Sequence, residues 1–143
     1  MRDADGPACI FCNLISGDAL ARIVQRDATT FAFFPPDQAV RGHTVVAPLQ
    51  HVETWPELAE PLVRDLFRAT HDVSRLLCSR LGASAVNVLF AGGPDAQQSV
   101  GHFHVHVLPR WRGDGIDAWP DLPGYRGDAH ADFRAMTVGG DRR

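Results

Sequence analysis

Apolar positions along the chain follow two rhythms. From residue 57 to 81, Leu62, Leu66, Ala69, Val73, Leu76 and Leu77 recur three and four residues apart, so one helix face packs on a core. Gly82 follows where a helix terminus favours glycine. Elsewhere the runs are short and extended. Residues 43–47 (HTVVA) are apolar and β-branched between Gly42 and Pro48, the pattern of a buried strand. Residues 21–26 and 30–34 predict two more strands, the second stopped by Pro35 and Pro36. Residues 85–91 and 103–110 predict a further two, joined by the turn-forming loop GGPDAQQSVG. A short helix is predicted over 10–16, after Pro7. Strands joined largely by short turns, with one long helix, predict a single-domain α+β fold. Its antiparallel sheet has about five strands, with a short N-terminal helix beside it.

Composition narrows the function. With 143 residues, 45% hydrophobic and 22% charged, the chain suits one domain. A net charge of -3 supplies no basic field for a nucleic-acid backbone, so no nucleic-acid partner is expected. No apolar stretch approaches a membrane span, and MRDADGPACI lacks the apolar run of a signal peptide; a cytoplasmic location without membrane partners is expected. Cys9, Cys12 and Cys78 make an odd count in such a compartment, which favours metal binding or reduced thiols. After Trp119, Gly, Pro, Asp and Arg dominate. The expected division is an N-terminal extension over 1–8, a domain over 9–119, and a tail over 120–143 whose composition points to partial disorder.

The candidate chemistry lies in HFHVHVLPR. His102, His104 and His106 alternate with Phe103, Val105 and Val107, and strand residues two apart share a face at about 7 Å. The competing reading is a polar exposed face that uses histidine by chance. Imidazole suits phosphoryl chemistry because it is largely neutral near pH 7, nucleophilic at one nitrogen, and able to move protons. The preceding loop adds main-chain N–H groups, with Gln98 and Ser99 as side-chain donors to phosphate oxygens. Alone, Gly92, Gly93 and Pro94 read equally as a plain hairpin turn.

QSVGHFHVHVLPR resembles the histidine triad (HIT) family, and CIFC at 9–12 and RGHTVVAPLQH at 41–51 extend the likeness in collinear order over about residues 9 to 112. The resemblance implies an α+β nucleotide hydrolase or transferase, a homodimer, acting on a nucleotide substrate. It implies His104 as the nucleophile that forms a nucleotidyl-histidine, with a backbone carbonyl holding its Nδ1 proton so that Nε2 attacks. His106 would contact the phosphate, and Gln98 and Ser99 the phosphate oxygens or leaving group. Three positions depart from the family pattern: Pro35 stands where relatives commonly carry a ribose-binding aspartate, Ala91 replaces an asparagine, and Gln97 replaces a glycine. Asp37 lies two residues beyond Pro35, out of register.

Cys9 and Cys12 have the spacing of half a zinc site, with His51 and His102 as candidate partners. That set resembles the structural zinc of some family members. A redox pair and two packed cysteines are the other readings. Cys78 reads as helix packing, His43 and His71 as structural histidines without a role, and His130 as solvated. Trp111 and Trp119 read as packing, or as cover for a base or dimer contact. Arg110 and Arg112 read as exposed charge or as phosphate-steering groups. The leading expectation is an enzyme cleaving a nucleoside 5'-phosphoramidate or dinucleoside polyphosphate at the α-phosphorus. The alternatives are a nucleotide-binding regulatory module with little turnover and, more distantly, a thiol or metal-handling protein.

Overall fold

The protein is described by a computed structural model covering residues 9–118 and 121–137. The extension expected over 1–8 and the role weighed for Trp119 lie outside the described residues. In chain order the elements are α1 (Ile10–Ser16), β1 (Arg22–Arg26), β2 (Thr30–Phe34), β3 (Thr44–Pro48), α2 (Glu60–Leu81), β4 (Ala85–Leu89), β5 (Val105–Arg110) and α3 (Ala129–Thr137). The strands form one antiparallel sheet in the order β1-β2-β3-β5-β4, so the α+β expectation holds.

Strand alternation splits the core in two. Ala32, Val46, Phe103, Val105 and Val107 face α2 and pack with its Leu62, Leu66, Ala69, Val73 and Leu77. Phe31, Phe33, Val45 and Ala47 take the opposite face, where Phe11 of α1 covers them. Residues of β2 and β3 are therefore buried on both sides, which is why HTVVA shows no polar alternation. Each fully buried Leu, Val or Phe contributes about 1.5–3 kcal/mol to this arrangement.

The long helix starts later than its periodicity predicts, at Glu60 rather than residue 57. Thr54 and Glu57 form a capping box over a separate 3-10 turn, Trp55–Glu57, which closes at Leu58. A helix running on from Glu57 would need an N–H at position 61 to bond the Glu57 carbonyl, and Pro61 has none. Gly82 ends α2 as predicted, at φ 70, donating its N–H to Cys78 O. Cys78 is exposed rather than packed, one position round the helix from buried Leu77. At the start of β3, Gly42 has φ 77, and a Cβ there would lie 2.8 Å from Leu81 Cδ1. The end of α2 can approach the sheet only because that atom is missing.

The segment read as a tail carries α3, whose residues are all unburied. The Asp128 carboxylate accepts the N–H groups of His130 and Ala131 at 3.0 Å and starts the helix. His130 is exposed, as read from the sequence, and His71, read as a structural histidine, is exposed as well.

Candidate active site and metal centre

The three histidines share one side of the chain, opposite Phe103, Val105 and Val107, but the strand proper begins only at Val105. His102 and His104 precede it, fixed by Phe103, whose ring is fully buried and whose N–H donates to Val52 O at 2.7 Å. His102 and His104 are themselves buried. The competing reading of a polar exposed face therefore does not hold, and the imidazoles form the floor of a recess.

Backbone groups assign a tautomer to each ring. His104 Nδ1 lies 2.8 Å from His102 O, and a carbonyl only accepts, so Nδ1 holds the proton and Nε2 offers its lone pair. His102 Nε2 lies 2.8 Å from Pro48 O and is likewise the protonated nitrogen, leaving Nδ1 as a ligand atom. The Ala39 N–H donates to His43 Nδ1 at 3.2 Å, so His43 carries its proton on Nε2. That nitrogen donates to His106 Nδ1 at 2.8 Å, which places the His106 proton on Nε2. One main-chain amide thus sets two rings. Burial disfavours the charged forms: His43, His102 and His104 sit below the ordinary 6.5, and His106 is pushed down to about 4 by burial and by neighbouring His104 and His43.

His104 and His106 stand between two depressions. The larger, about 740 Å³, is mostly apolar and is walled by Phe11, Leu14, Phe34, Pro35, Pro36 and Asp37. Asp37 therefore reaches the same cleft as Pro35, although its register in the sequence argued against it. Phe11 sets its edge against His104, ring centres 5.2 Å apart. The smaller depression, about 250 Å³, is lined by Phe90, Ala91, Gln97, Gln98 and Ser99. Ser99 borders both.

Gln98 is already engaged. Its Oε1 accepts the Gly93 N–H at 2.8 Å, and its Nε2 donates to Glu53 O at 2.6 Å and Val100 O at 2.8 Å. The side chain ties the loop to the segment before α2. Arg110 is also committed: it pairs with Asp114 at 2.7 Å, donates to Asn87 Oδ1 at 2.8 Å and to Ile116 O. Asp114 is held well below the usual carboxylate range by that guanidinium. Arg110 is therefore a strap for the turn after β5, whereas Arg112 is exposed. The Arg41 guanidinium lies over the Trp111 ring, 5.0 Å from its centre.

Cys9, Cys12, His51 and His102 come together, their ligand atoms all within 4.8 Å of one another. Cys9 Sγ lies 3.5 Å from His102 Nδ1, and Cys12 Sγ lies 3.4 Å from His51 Nδ1 and 3.7 Å from His102 Nδ1. A tetrahedral zinc with Zn–S about 2.3 Å and Zn–N about 2.0–2.1 Å has edges of about 3.3–3.8 Å, so the donor set fits. The Pro48 carbonyl orients His102 as an outer partner orients a metal-bound imidazole.

Two residues without an assigned role in the sequence belong to the site. His43 had the look of a structural histidine because nothing local shows that β3 and β5 pair with Val45 opposite His106, which puts His43 diagonally beside that ring. Phe11 was legible only as an apolar residue inside CIFC.

A model of the HIT domain matches residues 16–113, and the chain belongs to the histidine triad family. Protein hit of Bacillus subtilis (strain 168) is 36% identical over 111 residues, 77% of each chain. The adenosine 5'-monophosphoramidase hnt1 of Schizosaccharomyces pombe is 29% identical over 119 residues, 81% of this chain and 86% of its own. Among solved structures, a zinc-bound histidine triad family protein from Mycobacterium smegmatis superposes with a TM-score of 0.74 at 30% identity, covering 80% of this chain and 83% of that one. Proteins of the family are commonly nucleotide hydrolases or transferases. No described helix is long and apolar enough to cross a membrane.

Proposed function

We propose that the protein hydrolyses nucleoside 5'-phosphoramidates. The observation that carries this reading is the His102 O to His104 Nδ1 contact of 2.8 Å, which turns the His104 lone pair on Nε2 toward the junction of the two clefts. The apolar cleft takes the nucleoside, with Asp37 as the carboxylate available for ribose hydroxyls. His104 Nε2 attacks the α-phosphorus as the P–N bond breaks. The departing nitrogen keeps the bonding pair and takes a proton from solvent water, while the His106 Nε2–H, aimed by the His43 donor on its Nδ1, donates a hydrogen bond to the leaving group. Water then attacks phosphorus, the His104–P bond breaks with its electron pair returning to Nε2, and the water proton passes to solvent. Ser99, which borders both clefts, faces the phosphoryl oxygens, while Gln98 holds the loop that carries it. The S. pombe relative's name supports the substrate class.

We further infer that Cys9, Cys12, His51 and His102 hold one structural zinc, supported by the fit of the donor set and by the zinc-bound neighbour. The zinc pins α1, and with it Phe11, to the segment leading into β5. A homodimer joined through the edge of the sheet is in keeping with exposed Val88 on edge strand β4.

The test is release of AMP from adenosine 5'-phosphoramidate, with His104→Ala as control and mass spectrometry for a nucleotidyl adduct on quenched enzyme. The expected result is turnover that falls at least about a thousandfold in the variant, as for loss of a covalent nucleophile. Negligible release by both proteins, with retained nucleotide binding, overturns the reading in favour of a binding module.

A further inference from the structure

Gln97 is the non-glycine residue with positive φ among the described residues, at φ 66 and ψ 31. In that left-handed region a Cβ crowds the backbone, and glycine would sit there freely. The side chain gives nothing visible to the fold in exchange. It is exposed, and its carboxamide makes no hydrogen bond among the described residues, whereas both ends of the adjacent Gln98 carboxamide are engaged. What Gln97 does is line the 250 Å³ cleft beside His104 and His106, on the side away from the apolar nucleoside cleft. A strained backbone with an idle polar side chain in a reaction site points to substrate.

The chemistry of that cleft narrows the ligand. Phe90 and Ala91 form an apolar wall, Gln97 and Ser99 offer uncharged polar groups, and no lysine or arginine lines it. A polyphosphate leaving group would find no cation there. A carboxamide, with one acceptor and two donors, matches an uncharged amide or carbonyl group. We propose that Gln97 is a specificity-determining residue for the leaving group, selecting phosphoramidates whose departing amine carries an amide or carbonyl substituent. The proposal rests on the phosphoramidase reading: the P–N bond breaks toward this cleft, and the amine leaves through it as a neutral molecule.

The test compares kcat/KM for two adenosine 5'-phosphoramidates of similar shape, one made with glycinamide and one with isobutylamine. The ratio is taken within each protein, so any general change in rate cancels. The intrinsic difference in leaving ability of the two amines is common to both proteins, so the change in the ratio reports the side chain. In Gln97→Gly the preference for the glycinamide compound should fall about fivefold to tenfold from the unaltered protein's value, the worth of one net hydrogen bond. Thermal melting of Gln97→Gly should be unchanged or higher, because glycine suits the backbone. A ratio that stays within about twofold of the unaltered protein's, or a lower melting temperature with the ratio intact, overturns the proposal. These results leave the phosphoramidase reading standing, whereas absence of turnover of either compound by the unaltered protein removes both.

Discussion

Replacing His43 by leucine deletes the donor that holds His106 while keeping side-chain bulk just ahead of β3. In the native arrangement Ala39 N–H, His43 and His106 form a directed series with separations of 3.2 and 2.8 Å. His43 is 6% exposed, so water does not readily replace the lost partner. An unpaired buried acceptor costs about 1–3 kcal/mol. Felt as a reduced share of His106 rings in the working orientation, that cost lowers kcat by about 5- to 150-fold. His43→Gln is the informative companion, because a carboxamide can both accept from Ala39 and donate to His106. It should recover kcat to within about fivefold of the unaltered protein if one hydrogen bond is what matters. Single-turnover AMP release gives the rates, and nitrogen-15 spectra of the His106 ring report its tautomer. Leucine and glutamine variants with equal rates, or a leucine variant within about twofold of the unaltered protein, would refute the argument that His43 acts by setting the His106 proton.

Three other expectations follow from the geometry. Purified protein should contain about one zinc per chain. Cys12→Ser should lose most of it, with melting lowered by about 10 °C and KM for the nucleotide raised more than kcat is lowered, because Phe11 loses its anchor; undiminished zinc would count against the ligand set. Gly42→Ala should destabilise by about 2–4 kcal/mol in urea unfolding, since its Cβ would meet Leu81 Cδ1 at 2.8 Å and Pro109 Cγ at 3.1 Å from a left-handed backbone; a loss under about 0.5 kcal/mol would show that the end of α2 yields. Burial depresses His43, and takes His106 to about 4, so the unfolded chain binds protons near pH 6.5 that the folded chain refuses. Their contribution to stability is present above about pH 6.5 and is lost as pH falls toward 4, about 1–3 kcal/mol for His106 after allowing for partial solvent screening. Urea midpoints at pH 7.5 and 4.5 that coincide, or an equal drop in His106→Asn, would contradict this.

Much of the fold was legible because local rules agreed with each other. The helical spacing and Gly82 located α2, HTVVA located a buried strand, and the alternation in HFHVHV put three imidazoles on one side. CIFC, His51 and His102 were found as a set, and their ligand atoms do converge. What stayed hidden depends on cross-chain pairing. His43 acquires its partner only through the β3–β5 register, and Arg110 looked available until Asp114, Asn87 and Ile116 enclosed it. Gln98 reads as a free donor in a string of letters, although the loop consumes both ends of its amide. The apolar spacing extends the helix back to residue 57, but Pro61 lacks the N–H such a start would need, so α2 begins at Glu60.

The convergence of Cys9, Cys12, His51 and His102 also bears on the order of events as the chain is made. Cys9 must find His102 across 93 residues and Cys12 must find His51 across 39, so the ligands meet only after β3 and the approach to β5 are in place. During synthesis the two thiols emerge before His51, and His51 before His102. A chain interrupted anywhere before residue 102 holds at most three of the four donors. Under the proposed zinc assignment the full donor set therefore exists only once synthesis has passed residue 102, and without metal α1 would lose the anchor that holds Phe11 against His104.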